Sequence, residues 1–180
     1  MCKRTSAPRL TVAGLVVCPG GEYPLIPMHW PEAAALAGED NLTTVGGGVL
    51  SEDNNSPLEA MKRELYEEYS VTNSKVLPIN HPRWVSKGNG KLYAWCLVVC
   101  NTRPHIVPQA GEVAALGWYS CPKMLHLGVR QMSTFKQQMF LSAFVIACET
   151  YPEHFGGYVS HVGRFRRLQR KRKETQDAST

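Results

Sequence analysis

The sequence predicts an α/β fold, a mixed β-sheet sandwiched between α-helices. Three observations predict it. Short apolar or alternating runs of strand character recur along most of the chain. Two long stretches of helical character interrupt them, a two-sided one beginning at Pro57 and a second over Ser133–Cys148 that is apolar nearly all round. Turn-forming glycines and prolines stand between the runs.

In chain order, Leu10 to Val17 reads as the first strand. The basic start and short apolar stretch ahead of Gly20 resemble a signal peptide, but the run is short and broken, and a sheet strand is the better reading. Tyr23 to Met28 reads as a short strand leading to the Trp30-Pro31 turn, and Pro31 to Ala37 as a helical turn. Thr43 to Val45 enters a triple glycine, Gly46 to Gly48. Val71 to Leu77 and His81 to Val85 read as two strands, and the turn Lys87-Gly88-Asn89-Gly90 then forms a hairpin with Leu92 to Val99. Ala114 to Tyr119 is a further strand, and the chain returns through the helix Ser133–Cys148.

The helix from Pro57 carries the chemistry. Ser56 is a good N-cap, Pro57 suits the first helical position, and Glu59 stands three residues after the cap. Leu58, Met61, Leu65 and Tyr69 form a stripe that can bury. Glu64, Glu67 and Glu68 lie at i, i+3 and i+4 on another face. Like charges that close repel, and a hard divalent cation with oxygen ligands relieves the repulsion. The bland alternative is a solvated acidic face. The capping residues and the glycine triplet, which lets backbone approach a ligand, favour the metal.

Over Gly46–Val71 the chain resembles the Nudix hydrolase family. Arg63-Glu64-Leu65-Tyr66-Glu67-Glu68 reproduces the metal-binding half of the family pattern. Three departures accompany it. Asn55 stands where spacing from Arg63 places a family glutamate, the loop after Gly48 is one residue longer, and Ser70 replaces the usual helix-ending glycine. The resemblance implies a Nudix fold over residues 1–160, and a Mg²⁺-dependent hydrolase (Mn²⁺ is an alternative ion) acting on a diphosphate linked to another moiety. It implies Glu64, Glu67, Glu68 and the Gly48 carbonyl (or that of Gly47) as metal ligands, with Arg63 orienting a neighbouring carboxylate. Mg²⁺ of this kind offsets charge on the leaving group and lowers the pKa of bound water. The resemblance is also compatible with a homodimer.

Glu112 is a second catalytic candidate. The segment from Gly111 to Tyr119 resembles the family's late strand, in which some members use a loop carboxylate as metal ligand or general base; a plain exposed loop glutamate is the alternative. Asn101, His105 and His81 are polar residues near strand ends, each more simply structural. Trp30, Trp84 and Tyr93 are candidates for stacking on a base, or for the core.

The remainder bounds the partners. Residues Arg164 to Lys173 contain seven of the twenty Lys and Arg, leaving thirteen basic against fifteen acidic residues, so the body is near −2 and the +5 total comes from the tail. Such a tail (161–180) attracts phosphate polymers, RNA included, without base specificity, and Phe165 and Leu168 alternatively suit a short docking helix. No apolar run of about 18 residues or more appears, so no membrane span is expected. Six cysteines without a zinc spacing read as reduced thiols in a cytoplasmic protein, Cys96 and Cys100 on one strand face. Two readings compete with the hydrolase. One is a Nudix-fold module that binds nucleotide or RNA with impaired catalysis, which the change at Asn55 favours. The other is an isoprenoid isomerase, for which no cysteine has an evident catalytic place.

Overall fold

The computed structural model describes residues 9–37, 41–85 and 91–159. Its strands are β1 (Leu10–Val17), β2 (Leu25–Pro31), β3 (Ser74–Val85), β4 (Leu92–Cys100) and β5 (Val113–Ser120). Its helices are α1 (Glu32–Leu36), α2 (Pro57–Tyr69), α3 (Cys121–His126) and α4 (Thr134–Thr150). One sheet has the order β1-β4-β3, with β1 parallel and β3 antiparallel to β4; β2 and β5 form a second, antiparallel pair. The expected α/β architecture is therefore the observed one, a mixed sheet with helices on its two faces.

Alternation along the central strands builds two cores. Leu15 and Val17 of β1 and Trp95 and Leu97 of β4 face α4, whose Phe140 and Phe144 meet Phe155 and Tyr158 from the turns that follow. Val12 and Val16 of β1 and Cys96, Val98 and Cys100 of β4 face α2, where Met61, Leu65 and Tyr69 are fully buried. Cys96 and Cys100 do share a face, and the five described cysteines are all free and buried. Among the described residues no helix is long and apolar enough to cross a membrane.

Three element boundaries differ from the sequence expectation. The strand expected at Tyr23–Met28 is Leu25–Pro31, because pairing with β5 continues past Trp30 through a bulge. Pro31 is tolerated there because an edge position needs no donor. The two strands expected between Val71 and Val85 are one, β3, with Pro78 in register against Cys96 and the register against β4 broken only between Ile79 and Trp84, a stretch that contains Pro82. Val71 instead closes α2, its N–H donating to the Leu65 carbonyl at 3.1 Å. α3, with Pro122 in its first turn, had no sequence expectation. The Lys87–Gly90 turn and the Arg164–Lys173 tail lie outside the described residues, as do the side chains of His81 and Trp84.

Ser70, the residue in place of a helix-ending glycine, has φ +55°. An L side chain there costs about 1 kcal/mol that glycine does not, against a long 3.4 Å bond from Ser70 Oγ to the exposed Val107 carbonyl. Ser70→Gly is expected to raise the urea unfolding free energy by about 1 kcal/mol. A lower value in the variant would show that the Val107 bond outweighs the strain.

Candidate active site

The site begins at the free edge of β1, where the glycine triplet runs as an antiparallel strip. Val12 N–H donates to the Gly47 carbonyl at 2.8 Å, Gly14 N–H to Val45 at 2.9 Å, and Val49 N–H to Leu10 at 3.0 Å. This strip lies against α2. A Cβ on Gly47 would overlap the Glu64 carboxylate, so only glycine lets that carboxylate rest on the loop. The chain then makes a 3-10 turn, Ser51–Asp53, passes through Asn54 and Asn55 with φ +53° and +56°, and enters α2. At the entry, Ser56 Oγ accepts the Glu59 N–H at 3.4 Å.

Arg63 ties loop to helix. Its Nε and Nη2 donate to Asp53 Oδ1 and Oδ2, both at 3.0 Å, and Nη2 also donates to the Gly48 carbonyl at 2.8 Å. Nη1 lies 2.8 Å from both Glu64 Oε1 and Glu67 Oε2. Leu50 N–H completes the Asp53 shell at 2.8 Å. The guanidinium holds the buried Asp53 carboxyl below the usual carboxylate range. Counting back from Arg63 lands on Asn55 as the position of the family glutamate, and leaves the carboxylate that Arg63 orients unspecified. In the structure Asn54 and Asn55 are left-handed, and the loop carboxylate that Arg63 holds is that of Asp53. Short polar asparagine is one of the few non-glycine residues that visit this backbone region readily.

The glutamates meet different surroundings. Glu68 is 8% exposed, and burial pushes its carboxyl up to about 8. Gly46 N–H, donating to Oε2 at 3.2 Å, opposes the rise, while the charges of Glu64, Glu112 and Glu67 add to it. Glu64 is also raised, by burial first, with Arg63 opposing. Glu67 is largely exposed beside Arg63. Glu112, on the loop before β5, is exposed; its charge acts on both Glu64 and Glu68, and its carbonyl accepts the Glu32 N–H at 3.0 Å. The structure thus brings the distant Glu112 to the acidic face of α2.

Glu68 and Glu112 line a cavity of about 700 Å³ together with Gly46–Gly48 and His29, and Tyr93, Lys91 and Lys136 line it as well. Sequence reasoning missed Asp53, His29 and the lysines. His29 Nδ1 lies 2.9 Å from Tyr69 Oη in the interior, and burial first, then the Lys136 charge, bring its imidazole down to about 4, so it is neutral. Nothing in a lone strand histidine announces that pairing; only the acidic 3-10 turn gave a signal for Asp53. Asn101 and His105 are exposed and stand away from this cavity, Asn101 on a second one of about 460 Å³.

Shape comparison decides the fold. No protein-family model matches the sequence, and no curated protein matches it by sequence. Solved structures do match. The MutT protein from Methanosarcina mazei Go1 aligns over 81% of this chain and 98% of its own, at TM-score 0.58 and 16% identity. The NUDIX domain of Shewanella oneidensis NrtR, complexed with ADP ribose, aligns over 77% and 88%, at 0.57 and 15%. The E. coli dihydroneopterin triphosphate pyrophosphohydrolase aligns over 74% and 94%, at 0.54 and 14%. The chain has the Nudix fold.

On this Nudix scaffold the donor types suit a hard divalent cation: carboxylates, of which Glu64 and Glu68 are raised by burial first and then by neighbouring acids, beside backbone carbonyls of a glycine loop. As the side chains stand, no three His, Cys, Asp or Glu groups among the described residues converge to hold an ion, and Arg63 lies between Glu64 and Glu67. The Gly48 and Gly47 carbonyls each already accept a protein hydrogen bond.

The Glu68 shift has a stability consequence in metal-free protein. A carboxyl whose folded pKa is raised from 4.5 to about 8 binds its proton more tightly when folded. Its stabilising contribution is complete below about pH 4.5 and is lost as pH rises through about 8. In EDTA the unfolding midpoint should therefore fall across that window, and Glu68→Gln should flatten the fall. Parallel profiles in the two proteins would show that Glu68 is ionised throughout.

Proposed function

We propose that the chain is a divalent-cation-dependent hydrolase that cleaves the diphosphate linkage of a nucleoside diphosphate derivative. One observation carries the reading: Glu68 of α2 and Glu112 of the loop before β5 line one cavity with the glycine backbone, and burial first, then the charges of Glu64, Glu112 and Glu67, drives Glu68 toward its neutral form. Crowded acids are compatible with a polyphosphate only when a cation stands between them. The fold neighbours add support, since one is complexed with ADP ribose and another is named as a pyrophosphohydrolase of a triphosphate.

Glu64, Glu67 and Glu68, with the Gly48 carbonyl, would hold Mg²⁺ or Mn²⁺, which supplies charge neutralisation and activation of a bound water. Holding it requires Glu64 and Glu67 to share their oxygens with Arg63 or release it. Asp53 keeps the guanidinium in place when they do, through two bonds that need no help from the glutamates. Gly46 N–H fixes one Glu68 oxygen. Glu112, exposed at the cavity wall, accepts the proton of the attacking water. The water oxygen bonds to one phosphorus as the bridging P–O bond breaks, leaving a phosphate on each product. Positioning and charge stabilisation do most of this work.

Arg63's hold on two of the proposed ligands favours a second reading, a Nudix-fold binding module with impaired catalysis. A panel of nucleoside diphosphate derivatives, with and without Mg²⁺, separates the two. The hydrolase reading expects metal-dependent release of a monophosphate, lost by about 100-fold or more in Glu67→Gln or Glu68→Gln while circular dichroism stays unchanged. Wild-type rates in both variants remove it, and binding without turnover at every Mg²⁺ concentration establishes the module.

A further inference from the structure

The second cavity, of about 460 Å³, lies at the C-terminal ends of β1 and β4 and is lined by Cys18 and Cys100. The parallel register of these strands closes on the pair Val17–Val99. Cys18 and Cys100 therefore follow side by side, with Cα atoms one strand spacing apart, about 4.8 Å. Alternation gives both the face of Val16 and Val98, and both are buried in the core beneath α2. On its other side Cys18 exchanges two backbone bonds with Leu25, each 2.9 Å, which fixes it in the sheet. A disulfide needs Cα atoms about 4.4–6.8 Å apart and side chains on one face, and this pair meets both conditions.

The two sulfurs also interact. Cys18 donates a hydrogen bond to Cys100, which brings the Cys100 thiol below its ordinary value against the effect of burial. The same bond raises the Cys18 thiol, and burial adds to the rise. The Arg103 charge acts on Cys18 in the opposite sense, from a guanidinium that lies 4.4 Å over the Trp118 ring. A thiolate that takes a hydrogen bond from a second thiol, close to a positioned cation, is the form that reacts with oxidants. The other described cysteines have no such neighbour. Burial pushes Cys96 and Cys121 up to about 12 and raises Cys148 as well, which keeps them as inert thiols.

We propose that Cys18 and Cys100 are a redox modification site, closed by a peroxide into a disulfide that locks the end of β1 to β4 and opened again by a dithiol. The Cys100 thiolate attacks one peroxide oxygen, the O–O bond breaks, and hydroxide leaves. The Cys18 sulfur then attacks the sulfur of the Cys100 sulfenic acid, the S–O bond breaks, and a second hydroxide leaves. The two thiol protons turn both hydroxides into water, so the thiols lose two electrons and the peroxide gains them. The cavity that both residues line admits an oxidant of this size. The cross-link closes residues 19–99 into a loop that contains the glycine strip and α2, so it restricts the unfolded chain more than the folded one. The carboxylate site is separate, since Cys18 stands four residues beyond Gly14, about 13 Å along the strand direction.

In the test, the full chain is treated with hydrogen peroxide, the remaining thiols are alkylated in urea, and peptides are mapped without reductant. The map is expected to join Cys18 to Cys100 and to leave Cys96, Cys121 and Cys148 alkylated. The thermal midpoint should rise by about 5 °C or more over the reduced protein, and dithiothreitol should reverse both changes. Cys18→Ser, its fold checked by circular dichroism in the reduced state, should show neither cross-link nor rise. Where that variant does not fold, the map of the native sequence decides alone. Cys18 and Cys100 both alkylated after peroxide, or each joined to another cysteine, overturns the inference. So does a cross-link that forms as readily in urea-unfolded protein, or one that leaves the midpoint unchanged.

Discussion

The site depends on a single guanidinium. Arg63 reaches five oxygens on three segments: both Asp53 oxygens, the Gly48 carbonyl, and the carboxylates of Glu64 and Glu67. Without it, three glutamates on one helix face and an aspartate on the loop would repel one another across a partly buried space. With it, the loop is fastened to α2 at the point where the glycine backbone meets the acidic face. Arginine suits this place better than lysine, because a planar fork can serve Asp53 with two parallel bonds and still present its remaining edge to other acceptors.

That fastening also explains how Glu68 can be so costly and yet present. Arg63 compensates Glu64 and Glu67 but not Glu68, which has the Gly46 N–H as its donor and three like charges as neighbours. Burial is the main cause that raises its carboxyl, and the like charges add to it. On the proposed hydrolase reading, a cation that bound there would exchange for a proton. The two cores, separated by the sheet, supply the rigidity that holds this arrangement; the aromatic cluster of Phe140, Phe144, Phe155 and Tyr158 lies on the opposite face from α2.

The helix was legible because its signals are local. Ser56, Pro57 and Glu59 mark its start, and the stripe of Met61, Leu65 and Tyr69 is buried as its period requires. β1, β4 and β5 were legible for the same reason. The loop was not, because a residue count does not give a backbone path, and the path through the left-handed Asn54 and Asn55 leaves Asp53 as the loop carboxylate facing Arg63. β3 was split because prolines argue against a strand locally, while pairing with β4 is decided across the sheet. The bond of His29 with Tyr69, and the Lys136 charge acting on His29, join distant segments in a way that no periodicity encodes.

The longer loop carries a physical argument about which part of such a site can vary. The α2 carboxylates are fixed by helix geometry, so moving any one by a residue would turn it about 100° away. The loop partner of Arg63 is constrained only by reach: any carboxylate that arrives within about 3 Å of the guanidinium, in fork geometry, serves. Two residues able to adopt positive φ are enough to absorb the difference in chain length, and Leu50 N–H then fixes the aspartate from the other side. A shorter side chain on a loop of different path reaches the same guanidinium. The path through Asn54 and Asn55 therefore sets how this loop is closed, and the ion pair of Arg63 with the loop is made by Asp53.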